Sequence, residues 1–571
     1  MELRGATRLA VRNVELEGLT DVFQRPHEVD LLKNQRFQSE VIQEVETSIA
    51  GDSLDSLAVS PIDHVLMPKG GPFDFRRCAL IHPLDSIKYL ALVLTMADEI
   101  EASRPSVERH AVFSYRFRPQ NGFLFNSRFN QVAFQEEVRR RARKPASKVI
   151  ITCDVADFYD RLNLHRLESI LLSLTSNKSR VRQINQLLLF WAHRDSYGLP
   201  GGSNASRILA ESALIEVDKY LLSIGAMFCR FVDDYRFFCR SAHQAHQWLT
   251  QFIERLWLEG LTINKSKTRI EEAGEFRRRT EDVPDNGLAP ARTKMGGAFL
   301  RRAMSTDTTK LSEKREGNAR SKKRSRILAG YGYGIPTRFR EPGPSEMKQL
   351  RETGDPRKLL EILVKKSLPE ASDVTRFVKT LVSKASYSLF TELPAISESY
   401  PQLTPYIVDA IETYAEKLTE PEKRKIGDSF ACRLIPGDYI PEYLSTAIVH
   451  LLGTSAFQDK ERLLHYFRGL QRNAGAYIGR CLLDALEDKV TRGEVIEIRS
   501  YYPRADGWEK RAIAQIVCKH LHDDEKRPWI KNIKIQDAKD IFLMEIIRER
   551  QRPVGSGRPA RERNIVSRTR S

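Results

Sequence analysis

"CRFVDDYRFFCRS", residues 229–241, sets Asp233 and Asp234 side by side inside an apolar, aromatic run. Phe231, Val232, Phe237 and Phe238 are β-branched or aromatic, and a run this short predicts strand buried on at least one face. Carboxylates in such a place need a metal or a basic partner, because an unpaired buried charge costs several kcal/mol. In extended backbone, adjacent side chains point to opposite faces, whereas across a sharp hairpin both acids can approach one centre. An isolated Asp-Asp is equally what an exposed turn between strands uses, so the pair acquires meaning only from its company.

That company lies upstream. "KVIITCDVADFYD", residues 148–160, is a second short β-branched run ending in acid, with Asp154 closing the strand and Asp157, Phe158 and Tyr159 following. Between the two runs, "GLPGGSNASRILAESALIEVDKYLL" from Gly198 is a Gly/Pro loop entering a helix that carries Ile208, Ser212, Ile215 and Leu222. Asp154 could thus supply a third carboxylate that meets Asp233 and Asp234. Carboxylates from neighbouring strands suit two Mg²⁺ ions about 3.5–4 Å apart, which activate a 3′ hydroxyl and stabilise a leaving pyrophosphate. An aromatic at Tyr159 would stand beside the sugar of an incoming nucleotide and exclude a 2′ hydroxyl by bulk.

"DVADFYD", "GLPGGSNASRILAE", "FVDD" and "LTINKSKT", in this order, resemble motifs A, B, C and D of a reverse transcriptase. More narrowly, "DVADFYDRLNLHRLESIL", "ASRILAE" and "RFVDDYRFF" resemble the abortive-infection and defence-associated reverse transcriptases of bacteria. The detailed resemblance covers about residues 60–300. It implies an α+β fold: a right-hand polymerase domain with fingers, palm and a reduced thumb, followed by an all-α helical-repeat domain. It also implies a two-ion Mg²⁺ or Mn²⁺ site with Asp154 and Asp233 as principal ligands, Asp234 as the second acid of motif C and the Val155 carbonyl as a further contact.

Carried over on the same motifs, Tyr159 falls on the steric-gate position, with Phe158, Gly201 and Gly202 around the nucleotide. Lys267 sits near the motif D lysine that protonates pyrophosphate, with Lys265 the competing choice and an ordinary solvated surface lysine the alternative for either. Lys69, Arg77 and Arg116 are candidate contacts for triphosphate or template, against the alternative of ordinary surface charge. One departure stands out: retroviral enzymes have "LPQG" in motif B, where this chain has Leu199, Pro200, Gly201 and Gly202. The resemblance further implies priming from a residue of the protein and unusual template use, and no hydroxyl among the 18 tyrosines is singled out for it.

The rest of the chain is consistent with this reading. Its 571 residues exceed one core, and predict two to four domains. The net charge of +17 points to a polyanionic partner, most often nucleic acid. No apolar run approaches the ~18–20 residues that span a bilayer, and the N-terminal stretch lacks a signal-peptide core, so no membrane partner and a cytoplasmic location are expected. Seven scattered cysteines without a CxxC indicate neither a disulfide framework nor a zinc site. His165 and His193 lack spaced partners and read as structural.

Residues 1–110 read as an N-terminal, fingers region, with a helix over "LDSIKYLALVLTMADEIEASRP" (84–105) closed by Pro105. Residues 111–300 carry motifs A to D. Residues 301–344, with "KREGNARSKKRSR", read as a basic linker, and 345–550 as short apolar-spaced helices of the solenoid kind. Residues 551–571, with "RPVGSGRPARERNIVSRTRS", read as a disordered basic tail. Expected partners are dNTPs, a DNA product, a noncoding RNA template, further copies of the chain and a partner reverse transcriptase. Competing readings are a retron-like or group II intron-like enzyme copying a structured RNA, and a non-catalytic RNA-binding scaffold.

Overall fold

The computed structural model describes residues 1–19, 26–69, 75–193, 195–281, 339–366, 371–470 and 475–551. Most of the basic linker and nearly all of the basic tail lie outside these residues. The chain divides into two compact units, Met1–Ala485 and Leu486–Ser571.

The first unit opens with helix Leu3–Glu17, whose buried Ala6, Ala10, Val11 and Val14 follow helical spacing. It packs on helices Gln35–Ala50 and Pro83–Leu94. The stretch 84–105 is not one helix but two, Pro83–Leu94 and Ala97–Ser103. At the break, the Thr95 hydroxyl donates to the Leu92 carbonyl at 2.6 Å, competing with the backbone for its own acceptors. The turn-rich stretch around Lys69 belongs to an antiparallel hairpin of β1 (Asp63–Pro68) and β2 (Phe75–Leu80). A smaller hairpin joins β3 (Phe117–Gln120) to β4 (Phe123–Phe125).

Both apolar runs of the middle third form strands. β5 (Val149–Asp154), β6 (Phe228–Phe231), β7 (Asp234–Cys239) and β8 (Arg269–Glu272) make an antiparallel sheet ordered β6-β7-β5-β8. Helices Gln131–Ala142 and Ala273–Glu281 cover one face, packing Phe134, Val138 and Phe276 on Ile150 and Phe238. Helix Ala242–Leu258 covers the other, where the Phe252 ring lies 4.5 Å from Tyr235 and 5.3 Å from Phe237. Burial on both faces explains why these strands read as continuous apolar runs rather than alternating ones.

From Pro344 to Gln551 the described residues are helices and short 3₁₀ turns, with no strand among them. In the first unit, helix Thr404–Thr413 packs on helix Glu442–Gly453. In the second, helix Gly507–His520 packs on helices Arg492–Tyr501 and Ile541–Gln551. All seven cysteines are free thiols, five of them buried. No helix among the described residues is long and apolar enough to cross a membrane.

Candidate active site

The order of side chains along one sheet face decides where chemistry can occur. On β5 and β7, Ile150 lies opposite Phe238, Thr152 opposite Arg236 and Asp154 opposite Asp234. Directly paired residues share a face, so this face runs from apolar, beneath the covering helices, to acidic at its end. Two like charges directly opposite each other weaken a strand pair. Here they are balanced by cations: Arg236 donates to Asp234 at 2.9 Å, and the Lys267 ammonium lies 3.5 Å from an Asp154 carboxylate oxygen.

Asp233 sits in the two-residue turn between β6 and β7. Its partner in that turn, Val232, has φ +57, a left-handed conformation that a β-branched side chain rarely adopts. The turn is tied to motif A, since the Val155 N–H donates to the Asp233 carbonyl at 3.1 Å. Burial, then the charges of Asp154 and Asp234, push the Asp233 carboxyl up to about 7. Asp154 is raised too, by burial first, with Lys267 opposing and Asp234 adding to the rise. Asp154 and Asp233, both raised in a desolvated corner beside Asp234, give this end of the sheet the donor chemistry of a divalent-cation site. Among the described residues, however, no three acids, histidines or cysteines stand together as a ready-made cluster.

The loop of motif B lies between motif A and β2. On one side, the Leu199 N–H donates to the Tyr159 carbonyl and the Gly198 N–H to the Leu162 carbonyl, both at 2.9 Å. On the other, the Ala79 N–H donates to the Gly201 carbonyl at 3.2 Å. A Cβ at Gly201 would lie 2.7 Å from the Arg77 carbonyl oxygen, and Gly202 holds φ +104, so both positions need glycine. Helix Asn204–Ala213 then starts at Ser203, whose side chain accepts from the Ser206 N–H at 3.1 Å.

Tyr159 is half-buried beside the turn. Burial pushes its phenol well above the ordinary range, with Tyr115, Arg207, Glu211 and Asp233 near enough to act on it. The Arg207 guanidinium lies 5.1 Å over the Tyr115 ring. Of the two exposed lysines, Lys267 rather than Lys265 meets Asp154.

Other candidates are placed elsewhere. Phe158 is buried in the core, edge-on to Tyr159. Arg116 is 4% exposed and bonded to Glu101 at 2.6 Å and to the Pro105 carbonyl at 2.9 Å, so its guanidinium serves the interior rather than a phosphate. Arg77 remains outside on β2, 3.2 Å from His64. Burial, Arg77 and His193 lower the His64 ring to about 4. Lys69, Arg77 and Arg76 all act on Asp160, which places these cations toward motif A.

Beneath the turn lies a set of residues to which the motifs assign no role. Arg230, fully buried on β6, pairs with Asp218 at 2.6 Å and Glu211 at 2.9 Å. Arg104 pairs with the same Glu211 at 2.6 Å, and the Ser114 hydroxyl donates to its other oxygen. Burial alone would raise Glu211, but Arg230 and Arg104 outweigh it and hold the carboxyl below the usual range. One signal pointed here: an arginine inside an apolar strand requires a buried acid.

A family model described as reverse transcriptase (RNA-dependent DNA polymerase) matches residues 97–293. The chain carries a reverse transcriptase domain. The match spans Asp154, Tyr159, Gly201, Asp233, Asp234 and Lys267, and the fold is α+β, a right-hand polymerase domain followed by an all-α region. No curated protein matches the chain. Among solved structures, it is similar to telomerase from Candida albicans in complex with a TWJ fragment of telomeric RNA, at 13% identity and a TM-score of 0.26. That similarity covers 73% of this chain and 65% of the telomerase, so the chain spans less than two thirds of its length. Apo telomerase from Candida tropicalis is similar at 12% identity, with a TM-score of 0.27 and 77% and 68% of the two chains covered.

Proposed function

We propose that this chain is a metal-dependent DNA polymerase of reverse-transcriptase type acting in bacterial antiphage defence. The observation that carries the catalytic part is the direct pairing of Asp154 with Asp234 across β5 and β7, with Asp233 in the adjoining turn, inside a reverse transcriptase domain. The defence role, and priming from a residue of the protein, rest on the resemblance of the motifs around these acids to abortive-infection enzymes.

In this reading Asp154, Asp233, Asp234 and the Val155 carbonyl hold Mg²⁺ or Mn²⁺, which when bound lowers the pKa of an attacking hydroxyl and neutralises charge on the leaving pyrophosphate. Tyr159 excludes a ribose 2′ hydroxyl. Lys267 leaves Asp154 for the leaving phosphate and gives it a proton. Lys69 and Arg77 orient the triphosphate, and the basic surface binds nucleic-acid phosphates in a salt-sensitive manner. Further copies of the chain or a partner reverse transcriptase would join through the helical region.

A non-catalytic RNA-binding scaffold is favoured by one observation: two of the three acids, Asp234 and Asp154, are already paired with Arg236 and Lys267. Incorporation of each labelled dNTP by purified protein with Mg²⁺ or Mn²⁺, resolved on denaturing protein gels, separates the two. Label migrating with the protein, removed by DNase and absent from Asp233→Ala/Asp234→Ala, is expected. Label on free nucleic acid alone would remove protein priming, and no label, even with added cellular RNA, would establish the scaffold. Loss of phage protection in the same double variant is expected if defence requires the polymerase.

A further inference from the structure

Arg230 makes one contact that charge balance does not require. Its Nε and Nη2 donate to Asp218 at 3.0 and 2.6 Å, and Nη2 also reaches Glu211 at 2.9 Å. With Arg104 on Glu211, two guanidiniums face two carboxylates and the buried group is neutral. Well-packed apolar residues often serve stability as well as such buried ion pairs do. What an apolar residue would lack is the remaining donor: Nη1 of Arg230 donates to the carbonyl of Val232 at 2.8 Å.

Val232 is the strained residue of the turn, and such conformations persist only where the surroundings over-determine them. The turn is held on both sides of its strained peptide, by Arg230 at the Val232 carbonyl and by the Val155 N–H at the Asp233 carbonyl. The Tyr235 hydroxyl, donating to Asp218 at 3.1 Å, fixes the acid that fixes Arg230. We infer that Arg230 is a positioning residue of the polymerase: by holding the Val232 carbonyl it keeps the turn in the form that presents Asp233 to a divalent cation. This rests on the catalytic reading above.

Two properties distinguish this role from a purely structural one. Lysine at 230 keeps the charge for Asp218 and Glu211 but lacks the planar fork that spans both acids and the carbonyl. Glycine at 232 takes a positive φ without strain, and so reduces the turn's need for the restraint.

The test is Mn²⁺ binding followed by electron paramagnetic resonance on the full chain, with Mg²⁺ dependence of incorporation and thermal melting alongside. Folded R230K is expected to bind Mn²⁺ about 10- to 100-fold more weakly than the wild type, the usual effect of losing a group that orients a metal ligand. Its half-saturating Mg²⁺ rises in step while KM for dNTP stays the same, and R230K/V232G regains part of the lost affinity. R230K with wild-type Mn²⁺ and Mg²⁺ dependence, or a loss that V232G does not relieve, overturns the inference. If R230K does not fold, R230M/D218N removes one charge of each sign, keeps the Arg104–Glu211 pair and carries the same two expectations. Wild-type protein that neither binds Mn²⁺ nor incorporates label overturns the polymerase reading itself, a result distinct from either of these.

Discussion

Gly201 and Arg77 meet backbone to backbone: a Cβ on the glycine would stand 2.7 Å from the arginine's carbonyl oxygen. The position occupied by glutamine in a retroviral "LPQG" is here filled from outside by β2, whose Ala79 N–H also donates to Gly201. Gly201→Gln therefore does not restore a nucleotide contact. It forces β2 away from the motif B loop, with an expected cost of about 1–3 kcal/mol, as for other insertions into a packed site. Denaturant unfolding should show the loss, and incorporation should fall rather than gain fidelity.

Arg480 and Glu28, 452 residues apart, form a buried bidentate pair at 2.7 and 3.0 Å. Removing one partner strips a desolvated charge of this counter-ion, whereas removing both charges does not. R480M is expected to destabilise the first unit by about 3–5 kcal/mol, and E28Q/R480M by clearly less. Unfolding curves of the three proteins measure the difference directly.

The β-branched and aromatic runs around Asp154 and Asp233 made the strands legible, because residues buried on both faces leave no polar alternation to misread. The spacing of the later helices was legible for the converse reason, a periodic apolar stripe on each. Side-chain destination was not. Arg116 and Phe158 have the right chemistry for a phosphate and a nucleotide, yet both lie in the core. Arg230 was readable as an arginine needing an acid, but not which one. Glu211 and Asp218 stand seven apart, a spacing that shares a helix face, yet the helix breaks at Leu214, so only the packed structure brings both to the same guanidinium.

In the second unit, Glu509 closes a capping box at the start of helix Gly507–His520, and burial, then Asp506, push its carboxyl up to about 7. An acid raised by folding favours the folded state while it is protonated. Its contribution is therefore complete below the ordinary value of 4.5 and is lost as pH rises through about 7. The loss is bounded at about 3 kcal/mol. Glutamine keeps an oxygen to accept the Asp506 N–H and cannot ionise. Calorimetric melting between pH 5 and 8 should show a decline in the wild type that E509Q flattens.

Asp233 presents the same sign with a functional meaning. Its carboxyl is raised from 3.8 to about 7 by burial and by Asp154 and Asp234, so without a divalent cation its ionisation works against the fold as pH rises from about 4 to 7. The penalty is at most about 4 kcal/mol, and Arg236 and Lys267 offset the charge of its two neighbours. Asp233→Asn removes the ionising group while keeping its size, so the variant should melt higher than the wild type at pH 8 and lose incorporation altogether. Divalent cation should act unequally on the two proteins. A cation that binds only the folded state raises the wild-type melting temperature with concentration, and a site that has lost a ligand responds less. Melting scans at pH 8 across a Mg²⁺ series should therefore show the two curves converging, as the cation neutralises a carboxylate that only the wild type carries. Parallel responses would mean that Asp233 destabilises the fold without serving as a ligand.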